Sequence, residues 1–199
     1  MSDTVHYDVQ YPPQLNRVTT LLRIFMLIPH IIVLAVLGIA MEIVTLIAWF
    51  AILITGSYPR GMWDFSLSVA RYAARVSTYG FLVRDEFPPF GGGDEYPIQY
   101  ELAYPEHMSR LTTFFRIILF IPHYIVIGLL NVALEVVTFI AWWAILFTGR
   151  YPQGMFSFAV GVMRWQQRAG AYLLLLTDAY PPFSMEKALP ASGYATGMA

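Results

Sequence analysis

The stretch RVTTLLRIFMLIPHIIVLAVLGIAMEIVTLIAWFAILITGSYP, residues 17 to 59, decides how the chain folds. Beyond Arg23 its only charged side chain is Glu42. A run this apolar reads as membrane-embedded, because one crossing needs about 20 such residues. Its backbone must be satisfied internally in hydrocarbon, which a helix does. The end is marked by Thr55-Gly56-Ser57-Tyr58-Pro59, a glycine helix stop followed by proline. The spacing predicts a tight helical hairpin over 18–56, with one helix at about 18–38 and the next at about 41–56. Gly38 stands near the bend, and Pro29 removes one hydrogen bond and kinks the first helix. The second helix, at roughly 24 Å, is short against a hydrocarbon core of about 30 Å, so the hairpin is either transmembrane or re-entrant. The transmembrane reading places Glu42 near the far interface and avoids about 2.5–3.5 kcal/mol at mid-bilayer.

Working outward, the same text recurs as RLTTFFRIILFIPHYIVIGLLNVALEVVTFIAWWAILFTGRYP, residues 110 to 152. The offset is 110 − 17 = 93 at the start and 152 − 59 = 93 at the end, without a gap. Comparing residues 11–90 with 104–183, 39 of 80 positions are identical, which establishes an internal duplication. The second hairpin is expected over 111–149. After each hairpin comes a different period: Phe65, Val69, Tyr72, Val76 and Tyr79 share one helical face, while Arg71 and Arg75 share another. These spacings predict amphipathic helices over 62–83 and 155–176, lying in the interface. The apolar run 171–176 leaves a third crossing per repeat open. Each unit closes on Asp85-x-Phe87-Pro88-Pro89-Phe90 or Asp178-x-Tyr180-Pro181-Pro182-Phe183.

The resulting expectation is an all-α membrane protein of two tandem parallel repeats, 17–90 and 104–183. A lead-in (1–16), an acidic Gly-rich linker (91–103) and a polar tail (184–199) complete the chain. Composition agrees, with 57% hydrophobic and 13% charged residues and a mean hydropathy of +0.56, against soluble averages of about 45–50% and 25%. Eleven of the twelve basic residues are arginine, and none lies within 24–59 or 117–149. No basic stripe stands apart from the membrane flanks, so nucleic acid is not an expected partner. Cysteine is absent, which excludes disulfides and thiolate chemistry. The first residues, MSDTVHYDVQYPP, have no basic start followed by an apolar core, so a cleaved signal peptide is not expected. Arginines flank the open side of each hairpin and are missing from its tip. The positive-inside rule then places both termini in the cytoplasm, in a multi-pass protein of the inner (cytoplasmic) membrane.

The doubled pattern of R-x-T-T-x-x-R, I-P-H, W-x-A-I-L-x-T-G-x-Y-P-x-G and a following Arg-bearing helix resembles a bacterial family of integral membrane proteins described as a domain of unknown function (DUF4389). The resemblance covers residues 11 to 183. It implies the membrane class and supplies no catalytic residue.

Within the apolar runs the chemical candidates are His30 and His123, and Glu42 and Glu135. The histidines suit either a bond to a carbonyl freed by the preceding proline or to a partner on the other helix, or a b-type haem ligated from two sides, or a proton path. The carboxylates suit helix starts at the far interface, where the helix dipole favours an anion, or ion transfer. Arg71 with Arg75, and Arg164 with Arg168, are four residues apart and so present paired guanidiniums to anionic lipid, or pair internally with Asp64, Asp85 or Asp178 or with helix ends. No triad order, phosphate loop or HExxH pattern is present, so no enzymatic activity, metal or resident cofactor is expected. Two function classes follow: an accessory or scaffold subunit that binds lipid and associates with itself or a larger complex, and an oligomeric transporter or channel using Glu and His.

Overall fold

A computed structural model of the chain describes residues 5–91 and 96–187. The ends of the lead-in and tail and the centre of the linker lie outside the described residues. The elements are β1 (His6–Val9), α1 (Arg17–Thr55), α2 (Arg60–Gly80), β2 (Ile98–Glu101), α3 (Arg110–Thr148) and α4 (Gln153–Leu173).

The hairpins expected over 18–56 and 111–149 are each one continuous helix of 39 residues, and that expectation is corrected. Gly38 costs a helix only about 1 kcal/mol relative to alanine and does not break it. Its equivalent in the second repeat is Asn131, so the bend signal is not even duplicated. Met41 and Glu42 are good helix formers, and a break in apolar surroundings would strand backbone groups. The real signals are at the ends. Asn16 accepts from the N–H groups of Val18 and Thr19, and Ser109 from that of Thr112. Gly56 and Gly149 close the helices at φ 77° and 72°, a left-handed geometry that suits glycine.

The short helices end differently. Leu82 and Leu175 occupy left-handed backbone at φ 64° and 63°, a conformation costing a non-glycine residue about 1–2 kcal/mol. Each is the turn residue of a closing motif in which Val83 N–H reaches Thr78 O, or Leu176 N–H reaches Ala171 O. Both leucines are buried, which offsets the strain.

One further expectation is corrected. The protein is not all-α, because β1 and β2 form an antiparallel ribbon in which Tyr7 stands opposite Tyr100, its own duplicate at the 93-residue offset. The lead-in and linker therefore contribute core, with Tyr7, Val9 and Tyr100 buried. The long helices of the two repeats run in opposite directions. Trp49 Nε1, near the end of α1, donates to Thr113 O at the start of α3 at 3.0 Å, while Trp142 Nε1, near the end of α3, donates to Thr20 O at 3.1 Å. The long helices thus run antiparallel and are related by a pseudo-twofold axis perpendicular to them.

The same axis generates a reciprocal set of contacts. Leu15 N–H donates to Gly149 O and Met108 N–H to Gly56 O, both at 2.9 Å. Arg110 packs over Gly56, and Arg17 over Gly149. Neither long helix has a basic residue in its last turn; the cation that complements its C-terminal dipole comes from the other repeat. Each short helix folds back along its own long helix: Arg23 meets Tyr79, and His30 meets Tyr72. Burial falls on α2, α4 and the ribbon, while α1 and α3 carry a stripe of contacts and an otherwise exposed apolar surface.

Candidate functional site

Two duplicated motifs that looked separate in the sequence meet in space. Arg23 is 2% exposed; its Nη1 donates to Tyr79 O at 2.8 Å and Arg84 O at 3.0 Å, and its Nη2 is ion-paired with Asp85. Asp85 also accepts from the N–H of Asn16 and the hydroxyl of Thr19. In the second repeat Arg116 donates to Tyr172 O and Thr177 O and pairs with Asp178, which accepts from Ser109 N–H and Thr112 Oγ1. Each guanidinium further lies over a tyrosine ring, at 4.4 Å for Tyr79 and 4.2 Å for Tyr172. The R-x-T-T-x-x-R and D-x-F/Y-P-P-F motifs are therefore two halves of one clasp, holding the loop after the short helix to the start of the long one. The charges are buried together and hydrogen-bonded, as charges away from water must be.

The rest of the closing motif wraps the histidines. His30 stacks on Phe90 at 4.5 Å and touches Phe87; His123 stacks on Phe183 at 4.0 Å and touches Tyr180. Trp165 Nε1 donates to His123 Nδ1 at 3.1 Å. An indole N–H can only donate, so Nδ1 is an acceptor and the ring proton of the neutral imidazole sits on Nε2. In the first repeat the Tyr72 hydroxyl, 2.7 Å from His30 Nδ1, occupies the same place. Both Nε2 atoms are buried without a hydrogen-bond partner. Each ring is enclosed by aromatic residues of its own repeat, so the structure does not bring the two histidines to a common ligand. Neither bonds to a carbonyl freed by its proline; the partner is the short helix.

Arg71, Arg75, Arg164 and Arg168 do not face outward. Arg71 Nε donates to Tyr100 O and Arg164 Nε to Tyr7 O, each at 3.2 Å, so each repeat's short helix holds the strand that precedes the other repeat. Arg164 also pairs with Asp8 at 2.7 Å, and Lys187 reaches the same carboxylate. Burial opposes ionisation of Asp8, but the hydrogen bonds and charges of Lys187 and Arg164 prevail and hold its carboxyl below the usual range. Arg168 is 6% exposed and donates to Ser184 O, and Arg75 is 9% exposed. The internal alternatives named in the sequence, Asp64, Asp85 and Asp178, are taken by Arg60, Arg23 and Arg116. The short helices are thus core elements between ribbon and long helices, which corrects the expected interfacial placement.

Glu42 and Glu135 are exposed about two-thirds of the way along α1 and α3, in the walls of two separate crevices, and are not at helix starts. No hydrogen bond or ion pair reaches either among the described residues. Those residues also hold no group of three or more side chains suited to a metal ion. The clasp is not legible in the sequence: Arg23 and Asp85 recur as Arg116 and Asp178, but a gapless duplication repeats the spacing of every duplicated pair, and only the fold shows which pairs meet.

A family model described as a domain of unknown function (DUF4389) matches the chain twice, at residues 17–91 and 110–185. No curated protein and no solved structure matches it.

Proposed function

The chain belongs to the DUF4389 family, in two tandem copies, and from that premise and its geometry we propose that it is a non-catalytic membrane scaffold whose two long helices lie flat in one leaflet. The observation that carries this reading is the exposed apolar surface running the full length of α1 and α3, from Val18 to Ile54 and from Leu111 to Phe147. Both helices are long and apolar enough to cross a membrane, with 11% of the most apolar window buried.

Three features favour lying over crossing. A helix of 39 residues is roughly 58 Å long at 1.5 Å per residue, about twice the hydrocarbon thickness. The ribbon is held by Arg71 and Arg164 from the middle of the short helices. Upright long helices would carry that two-stranded ribbon, with its open edges, to mid-bilayer depth, where unpaired backbone is not tolerated. Flat helices instead direct the pseudo-twofold axis along the membrane normal and leave ribbon, termini and linker together on the aqueous side. Lipid headgroup contact then falls on the exposed Arg17, Arg110 and Arg150 at the ends of the long helices, in place of Arg71 and Arg164, which hold the ribbon, Arg168, which holds Ser184, and the buried Arg75.

Single-cysteine labelling tests this. Cysteines at Gln14 and Thr55, at opposite ends of α1, react with a membrane-impermeant maleimide from the same side of sealed vesicles if the helix lies flat. Labelling of the two from opposite sides refutes the flat orientation. Release of the protein by carbonate without detergent refutes membrane embedding.

A further inference from the structure

Two crevices open where the repeats meet, with volumes of about 440 Å³ and 400 Å³, within the range of small-ligand sites at roughly 300–1,000 Å³. The first is walled by Glu42, Thr45, Leu46 and Trp49 of α1 and by Arg116 and Ile117 of α3, and is closed by the turn after α4. The second is walled by Glu135, Thr138, Phe139 and Trp142 of α3 and by Arg23 and Ile24 of α1, and is closed by the turn after α2. Every one of these residues is the 93-residue counterpart of its partner in the other crevice. The strained residues Leu82 and Leu175 line them too, at matched positions.

Each crevice is lined mainly by apolar side chains, with an arginine, threonine hydroxyls and one anion that lacks a partner. Arg23 and Arg116 are engaged by Asp85 and Asp178, so they do not neutralise Glu42 or Glu135. Each of those carboxylates is exposed, is flanked by exposed apolar residues such as Ile43 and Val136, and lacks any protein partner among the described residues. An unpaired carboxylate beside hydrocarbon is costly. A cation carried on a hydrocarbon chain relieves that cost and fills the crevice at the same time.

We propose that each crevice binds one lipid with a primary ammonium headgroup, of the phosphatidylethanolamine type, from the surrounding leaflet. The ammonium donates to Glu42 or Glu135 in a charge-assisted hydrogen bond, and an acyl chain lies along Leu46 and Ile117, or along Phe139 and Ile24. The two sites are equivalent and independent, one on each side of the pseudo-twofold axis. A primary ammonium is favoured over a quaternary one because it can donate hydrogen bonds; an anionic headgroup is disfavoured by the carboxylate.

The proposal rests on membrane embedding, and its test separates the two. The full-length protein is reconstituted in nanodiscs of phosphatidylethanolamine, phosphatidylcholine and phosphatidylglycerol in equal parts, released in the gas phase, and its retained lipids counted by native mass spectrometry. The expected result is two retained phosphatidylethanolamine molecules, falling to one in Glu42→Gln or Glu135→Gln and to none in the double variant. Glutamine is nearly isosteric, sits on exposed helix positions and is a good helix former, and thermal unfolding of each variant confirms the fold. Equal retention of the three lipids, or two phosphatidylethanolamine molecules still held by the double variant, overturns the proposal. Failure of the parent protein to enter nanodiscs at all would instead remove the membrane reading beneath it.

Discussion

Replacing Asp178 by alanine should strip the clasp of the second repeat of its anion and leave Arg116, at 2% exposure, as a buried cation without a counter-charge. Breaking one side of a buried pair costs about 3–5 kcal/mol. Asp178 is 26% exposed, so solvent reaches its side of the pair, and the lower end, about 3 kcal/mol, is expected. The same substitution deprives Ser109 N–H and the Thr112 hydroxyl of an acceptor at the start of α3, adding about 0.5–1 kcal/mol for a lost cap. For a chain of 199 residues, where each kcal/mol moves the midpoint by about 2–4 °C, the combined loss lowers Tm by roughly 7–16 °C. Differential scanning fluorimetry in a mild detergent, following the five tryptophans, measures it. Asp85→Ala should match Asp178→Ala within about 1 kcal/mol, since the two clasps share their partners atom for atom. The decisive arm is a double-mutant cycle with Arg116→Gln. A clasp requires the two substitutions to be coupled by more than about 1 kcal/mol; strict additivity, or a loss below about 1 kcal/mol for Asp178→Ala, would refute the reasoning.

Three further outcomes follow from the geometry. Alanine at Gly56 or Gly149 meets only ordinary contacts with the opposing arginine, so its cost is that of left-handed backbone, about 1–2 kcal/mol, and equal denaturation midpoints for parent and variant would contradict it. Trp165→Phe removes the N–H that holds His123 Nδ1; the orphaned acceptor should cost about 1–3 kcal/mol, while Trp165→Tyr, copying Tyr72, should restore most of it. Asp8 has a folded pKa below its unfolded value, so its stabilising contribution is complete above the ordinary carboxyl range and disappears as pH falls through the lowered folded pKa. Hydrogen exchange of the β1 amides, corrected for intrinsic rates, should accelerate in that acid window in the parent and be insensitive to it in Asp8→Asn.

How much of this was legible depends on the range of the interaction concerned. The duplication, the helical stops at Gly56 and Gly149 and the apolar character of both long helices are local or periodic features, and they are all where the text places them. The hairpin was read from Gly38, a weak breaker, and from a length rule for helices that cross a bilayer, which a continuous helix of 39 residues exceeds. The ribbon escaped because four-residue strands carry too little alternation to register, and Tyr7 and Tyr100 declare themselves only when paired. The arginines of α2 and α4 had the spacing of a lipid-facing pair, yet spacing fixes only which helix face they share, not what covers it. The clasp escaped for the same reason: Arg23 and Asp85 recur as Arg116 and Asp178, but a gapless duplication repeats every spacing and does not say which charges meet.

Neither half of this molecule is a complete folding unit. Each long helix receives its terminal cation, and each short helix receives its strand, from the opposite half. A chain bearing a single copy would have to obtain all of these from a second polypeptide, and the contacts that now join the repeats are self-complementary in the manner of a symmetric dimer interface. Fusion places the second half at a high effective concentration, and assembly no longer depends on the concentration of separate copies. It also frees the two halves to diverge: Tyr72 and Trp165, which meet equivalent histidines with different side chains, could not differ in a homodimer encoded by one copy.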